Sequence, residues 1–240
     1  MLYIKNLTKT YGEKKAVDDL SLHIAPGEIY GFIGHNGAGK TTTLKSVTGI
    51  LQFDSGEITI GGRSIRQDPI GCKVQMAYIP DNPDLYEFMT GIKYLNFVAD
   101  IFEIPSDVRL ERIRKYADLF ELTDDLAEPI AAYSHGMKQK LAITGALIHE
   151  PSIWVLDEPM VGLDPQSVFM LKEEMRRHAD SGRTVFFSTH VLDVAERLCD
   201  EIGIIKRGRL IARGTLDELR CGEDSSLEEV FLELVEKKGE

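Results

Sequence analysis

The chain has 240 residues, 43% of them hydrophobic and 28% charged, which matches a globular domain and excludes disordered, collagen-like and disulfide-scaffold classes. Its net charge of −11 offers no basic footprint for nucleic acid and opposes contact with anionic lipid, so neither a nucleic-acid partner nor direct lipid insertion is expected. No apolar run approaches the roughly 18 residues of a membrane-spanning helix, and the opening MLYIKNLTKTYG lacks a secretion signal's apolar core, which predicts a cytoplasmic chain. Cys72, Cys199 and Cys221 are too few and too scattered for a disulfide framework or a metal site, and read as reduced thiols.

In chain order, residues 2–24 carry two β-type runs around the turn Tyr11-Gly12-Glu13-Lys14-Lys15, predicting an antiparallel opening. Residues 28–34 read as a buried strand that runs into a glycine-rich turn and a helix over 40–48. EITIGG after Gly56 and residues 74–80 predict further strands, with only turn chemistry between them. From 83 to 149 strand signals almost vanish, and helices are expected over 90–102, 106–120 and 136–149. Strands return at 152–157 and 184–188, each followed by a helical pattern, as in a parallel α/β sheet. EIGIIKRGRLIARG predicts a hairpin. Over 226–238 the residues Leu227, Val230, Phe231, Leu234 and Val235 fall at helical spacing, and Ser226 with Glu229 forms a capping-box pattern. The expected organisation is an α/β core over 1–82 and 150–222 with an antiparallel β margin. Within it sits an inserted helical lobe over 83–149, and an amphipathic helix over 223–240 follows. Residues 215–240 hold nine acids and three bases, a solvated outer face or an acidic docking tail.

The sharpest chemical signal is Gly34-His35-Asn36-Gly37-Ala38-Gly39-Lys40-Thr41, the pattern GxxxxGK[ST] between a strand and a helix. Glycines let backbone N–H groups turn toward a polyphosphate, the helix start adds positive potential, Lys40 reaches the outer phosphates, and the Thr41 hydroxyl can ligate Mg²⁺. The second signal is Ile153-Trp154-Val155-Leu156-Asp157-Glu158, a buried strand ending in two acids. Such acids can cap a neighbouring helix. Beside a phosphate loop they read instead as a metal-holding Asp157 and a water-activating Glu158. Trp154 reads as core packing.

Further on, Tyr133-Ser134-His135-Gly136-Met137-Lys138-Gln139-Lys140 opens a helix ahead of Asp157. The segment resembles the LSGGQ signature of the nucleotide-binding subunits of ATP-binding cassette (ABC) transporters. Glu158-Pro159-Met160-Val161-Gly162-Leu163-Asp164-Pro165 is similar to that family's D-loop, and Ser188-Thr189-His190 to its switch histidine. The resemblance spans about residues 2–219 and rests on five motifs in order. It implies a P-loop NTPase cassette with ATP and Mg²⁺ as cofactors, two chains sandwiching two ATP molecules head to tail, and ATP hydrolysis that energises transport. It further implies that Gly34, Asn36, Gly37, Ala38, Gly39, Lys40, Thr41 and Thr42 hold the phosphates and that Tyr11 stacks on adenine beside Val17. Ser134, Gly136 and Met137 would face the other chain's γ-phosphate. Asp164 would link the two sites, and His190 would contact the γ-phosphate and hold the water. An integral membrane permease subunit is the implied partner beside a second cassette, identical or different, which would put the chain peripherally on the inner membrane face. The ending Ser226-Leu-Glu-Glu-Val-Phe-Leu-Glu-Leu is most similar to ATPases of bacterial exporters whose membrane parts are separate chains, of the ABC-2 type.

Two departures stand out. Asp81 occupies the place of the family's usual glutamine, where it could still ligate Mg²⁺ through a hard oxygen at the expense of added negative charge. His135 and Met137 replace the signature's glycine and glutamine, and His135 could restrict the nucleotide or donate to it. In the lobe, Tyr94, Leu95, Phe97, Val98, Ile101 and Phe102 make an apolar face that either packs in the lobe's own core or, with Leu85 and Tyr86, receives the permease. His23, His149 and His178 match no motif. Among other classes, a soluble ABC-type switch acting on ribosomes or DNA would carry two cassettes or a coiled-coil insertion, which this chain lacks. A regulatory module with little turnover is favoured only by Asp81 and Met137, and a GTPase would need an NKxD sequence that is missing.

Overall fold

The computed structural model describes residues 1–220 and 226–237, with side chains as far as Leu234 in the second segment. The chain opens as an antiparallel hairpin, β1 (Leu2–Tyr11) and β2 (Lys14–Ile24), turned at Gly12 with φ 58°. β3 (Ile29–Ile33) is buried at every position and leads through the phosphate loop into α1 (Lys40–Val47). β4 (Ser55–Ile60) and β5 (Arg63–Ser64) then complete a four-stranded antiparallel sheet in the order β2-β1-β4-β5. This is the expected β margin.

A short helix, α2 (Pro69–Lys73), stands where only turn chemistry is legible in the sequence. Pro69 begins it, and the Asp68 carboxylate caps it by accepting the Gly71 N–H at 2.9 Å. Five residues are too few to show helical periodicity. After β6 (Met76–Ile79), shorter than the expected run over 74–80, come α3 (Gly91–Ile101), α4 (Ser106–Leu119) and α5 (His135–Leu147). α5 begins one residue earlier than the sequence suggests because Ser134 is its cap, its hydroxyl accepting the Met137 N–H at 3.2 Å.

The remainder alternates as expected: β7 (Ile153–Asp157), α6 (Pro165–Asp180), β8 (Thr184–Thr189), α7 (Leu192–Leu198), the hairpin β9 (Glu201–Lys206) and β10 (Arg209–Gly214), α8 (Leu216–Leu219) and α9 (Leu227–Lys237). The six-stranded sheet has the order β10-β9-β3-β8-β7-β6, parallel throughout except for the antiparallel edge strand β10. The chain is therefore α/β with a mixed sheet, a separate antiparallel sheet and added helices.

Strand alternation divides the core between the two faces of the large sheet. Tyr30, Phe32, Val155 and Phe186 face α1 and the antiparallel sheet, whereas Trp154, Leu156, Val185 and Phe187 face α3 to α6. Trp154 is core, as expected, and stacks on His178 with ring centroids 4.1 Å apart. His149 stacks on Phe102 at 3.7 Å, and burial holds both histidines down to about 4, hence neutral at ordinary pH. Leu95 and Ala99 of the apolar α3 face are buried in the core, while Phe97 and Ile101 are exposed. Cys72 and Cys199 are free thiols, and Cys221 and Val235 lie outside the described residues and side chains.

Phe186 is fully buried between Tyr30 and Phe32 with ring centroids 5.8 and 5.6 Å away. Phe186→Ala is expected to cost about 3–5 kcal/mol in urea unfolding, because so large a cavity in a paired central strand cannot collapse.

Candidate functional site: a phosphate loop faced by two acids

β3 delivers the chain into the phosphate loop, where Gly37 has φ 77° and Gly39, the residue capping α1, has φ 115°. A Cβ on Gly39 would lie 2.4 Å from the Ala16 carbonyl oxygen, so conformation and space both demand glycine. No side chain caps α1, which leaves its first N–H groups to an acidic ligand. Lys40 is buried, with its ammonium donating to the Gly34 carbonyl at 2.6 Å and lying 3.4 Å from Glu158 Oε1.

Two acids end β7. Asp157 is fully buried; its Oδ1 accepts the Ser188 hydroxyl at 2.5 Å, and Thr41 also hydrogen-bonds the carboxylate. Its Oδ2 has no hydrogen-bond partner. Burial pushes the Asp157 carboxyl above the usual carboxylate range against those hydrogen bonds, and repulsion from Asp81 and Glu158 pushes the same way. Glu158 sits in left-handed backbone with φ 48°, an uncommon conformation for a side chain this large. That twist turns its carboxylate between two basic side chains: Oε2 is 3.0 Å from His190 Nδ1 and accepts the His190 N–H at 3.3 Å, while Oε1 faces Lys40.

Lys40 and Glu158 line one cleft of about 470 Å³, together with Tyr11, Asn36, Gly37, Gly39, Thr41, Thr42 and Asp81, while Asp157 lies buried behind Thr41 and His190 lines an adjoining pocket that shares Glu158. Tyr11, half-exposed at the hairpin tip, flanks the mouth of the cleft. Val17 is not on the wall. It is fully buried in the core, and its neighbour Ala16 lines the cleft because alternate residues of β2 face opposite ways. Ala38 is largely buried beneath the loop, and a Cβ on Gly34 would press on the Ile205 carbonyl, so these two shape the cradle from below. Sequence reasoning passed over Lys14, Ala16 and His35 as wall residues and Ser188 as the hydroxyl that holds Asp157. Ser188 left a signal as the first residue of the Ser-Thr-His segment, and His35 as a variable position inside the GxxxxGK[ST] pattern.

Ser134, Gly136, Met137 and Asp164 do not line this cleft. They gather where the start of α5 meets the loop before α6. Asp164 caps α6 through the Ser167 N–H and hydroxyl at 2.9 and 2.7 Å, and Lys140 pairs with it at 2.8 Å. The Lys140 ammonium, followed by the Ser167 bonds, holds the Asp164 carboxyl far below the usual range. His135 packs on Gly162, where a Cβ would clash with its ring, so its bulk is turned into the D-loop.

As a Mg²⁺ site the residues fit through the Thr41 hydroxyl and Asp81, both on the cleft wall, and the unpartnered Oδ2 of the buried Asp157. Among the described residues no three His, Cys, Asp or Glu side chains converge on one point. A hard cation here would therefore take most of its oxygen shell from phosphate and water, as Mg²⁺ ordinarily does.

The ABC transporter family model matches residues 17–161. This chain belongs to the ABC transporter family. The cassette is 36% identical over 240 residues to the ABC-type transporter ATP-binding protein EcsA of Bacillus subtilis, covering 99% of this chain and 97% of that one. A solved ATP-binding subunit of an ABC transporter superposes with a TM-score of 0.93 at 35% identity, covering 98% and 99% of the two chains. A dimeric cassette bound to ADP and Pi shares the fold with a TM-score of 0.82 at 23% identity, over 90% of this chain and 99% of its own.

In this cassette a raised carboxyl pKa means that the folded state binds the Asp157 proton more tightly than the unfolded chain does. The charged form therefore costs stability above the ordinary aspartate range, and that cost fades as pH falls toward about 4. Without nucleotide or metal, Asp157→Asn is expected to raise the urea midpoint at pH about 7.5, with a gain that shrinks on acidification. A gain independent of pH would contradict the burial argument.

Proposed function

We propose that the chain binds Mg-ATP and hydrolyses it as one half of a cassette dimer that drives an integral membrane permease. The observation that carries this reading is the disposition of Glu158, at the mouth of a phosphate loop and braced between Lys40 and His190.

The polyphosphate takes the loop N–H groups and the start of α1, and the incoming γ-phosphate draws the Lys40 ammonium from Glu158. Tyr11 stacks on the adenine. Glu158, released from Lys40 but still held by His190, orients the attacking water and accepts its proton, while His190 steadies water and phosphate. Thr41, Asp157 and Asp81 would hold Mg²⁺, which when bound would neutralise charge on the phosphate oxygens. Asp157 is poised for this: a buried carboxylate with a raised pKa and an unpartnered oxygen gains from a divalent cation what burial takes away.

The position of Ser134, Gly136 and Met137 outside their own cleft supports a site completed by a second chain, whose nucleotide would meet the Ser134 hydroxyl and the positive end of α5. Asp164, at the same edge, would link the two sites. The permease would dock in the groove lined by Tyr78, Pro80, Leu85, Tyr94, Val98 and Phe102, beside the exposed aromatic rings of Tyr86 and Phe88. Among the described residues no helix is long and apolar enough to cross a membrane, so attachment at the inner membrane face would run through that partner. The ending from Ser226 supports an exporter of the ABC-2 type.

Glu158→Gln keeps the geometry but removes the base, and is expected to trap an ATP-bound dimer. Size-exclusion chromatography with Mg-ATP at micromolar protein should show it, and a persistent monomer there, or a variant purified from membranes without any polytopic partner, would remove the main support. Asp81→Gln is expected to retain ATP binding and at least a tenth of wild-type turnover; a larger loss in a phosphate-release assay would make the aspartate specifically required.

A further inference from the structure

The terminal helix α9 lies outside the catalytic groups, yet it reaches the phosphate loop. Its capping box is formed as the sequence predicts: the Ser226 hydroxyl accepts the Glu229 N–H at 3.3 Å, and the Glu229 carboxylate accepts the Ser226 N–H at 2.9 Å. Leu227, Val230 and Phe231 are buried in a separate apolar cluster with Ile33, Ile202, Ile204 and Leu219. Ile33 is the last residue of β3, directly before Gly34, so this cluster seals the strand end from which the phosphate loop departs. Phe231 goes one step further. Its ring meets the His35 imidazole edge to face, with centroids 5.0 Å apart and an interplanar angle of 66°. His35 is in turn a wall of the nucleotide cleft.

We infer that Phe231 is a positioning residue for the phosphate loop, holding His35 so that the loop keeps its phosphate-binding shape before nucleotide arrives. The inference rests on the ATP-binding reading above and adds a role for α9 that the motifs do not contain. The physical case is one of pre-organisation. The base of the loop is fixed, since Gly34 lies against the Ile205 carbonyl, and Lys40 ties its ammonium to the Gly34 carbonyl. The outer arm, His35 to Gly37, is exposed, and the Ala38 N–H closes it by donating to the His35 carbonyl at 3.1 Å. An exposed arm loses conformational freedom when it closes on phosphate, and a ring anchored in packed core lowers that loss by ordering the arm beforehand. Phe231, at 6% exposure, is such an anchor.

The test uses the full chain and Mg-ADP titrated by calorimetry. Phe231→Leu keeps an apolar side chain in the cluster but loses the aromatic edge, and His35→Ala removes the other ring. Each is expected to weaken Mg-ADP by about two- to tenfold, the value of one aromatic pair, with the double variant no worse than the weaker-binding single. Val230→Ala, which thins the same cluster away from His35, should bind as wild type does. In steady-state hydrolysis Phe231→Leu should raise KM by the same factor with kcat unchanged, because the loop's shape serves ground and transition states alike. Wild-type affinity in Phe231→Leu, additive losses in the double variant, or an equal loss in Val230→Ala would each overturn the inference while leaving the ATP-binding reading intact. A wild-type chain that binds no Mg-ADP would overturn both.

Discussion

Three buried parallel strands, β3, β8 and β7, stop at one edge of the large sheet, and the chemistry of the protein hangs from their ends. β3 ends in the phosphate loop, β7 in Asp157 and Glu158, and β8 in Ser188, Thr189 and His190. Their register puts Asp157 opposite Ser188 and Ile33 opposite Thr189, so segments far apart in sequence meet at hydrogen-bond distance. Ligand sites in open α/β sheets lie at the carboxyl ends of the strands for this reason. Burial of all three strands on both faces makes that edge rigid, which a site built from short contacts requires.

The electrostatics of the edge are set against the unliganded state. Asp157 is charged only at the expense of burial, and its hydrogen bonds to Ser188 and Thr41 do not fully offset that cost. Glu158 occupies a left-handed backbone position and divides its carboxylate between Lys40 and His190. Each feature is unfavourable or provisional as the side chains stand. Strain and perturbed acidity of this sort concentrate where binding energy is to be used.

Around this edge, links of another kind tie distant segments together. The start of α5 is joined to the loop before α6 by the Lys140–Asp164 ion pair, by Gln139 donating to the Pro159 carbonyl at 3.4 Å, and by His135 lying against Gly162. Since Pro159 follows Glu158 directly, the start of α5 and the Glu158 carboxylate are neighbours through a few covalent bonds and one buried amide. α9 makes a corresponding link on the other side, through Phe231 to His35. His135, which from sequence either restricts the nucleotide or donates to it, is thus part of a joint within the chain.

The amino-acid sequence by itself determined the local elements and the chemistry of single segments. Spacing alone identifies the phosphate loop because glycines at fixed offsets before a Lys-Thr pair have a backbone reason to be there. A buried strand that ends in two acids is equally legible, since carboxylates at a core strand's end must find a cation, a donor or water. Periodicity marked the strands, the helices α3 to α5 and the capped terminal helix, and missed α2, too short to show a period. What the tertiary structure decided is which side of each strand met which neighbour. Val17 against Ala16 is the plainest case, since a pleat that alternates every residue sends one into the core and the next onto the cleft wall, and motif alignment does not resolve a single position. The hydroxyl of Ser188 on Asp157, the division of Glu158 between Lys40 and His190, His135 on Gly162 and Phe231 on His35 are all contacts across long sequence separations. They arise from register and packing, which depend on every strand and helix at once, and no local pattern carries that information.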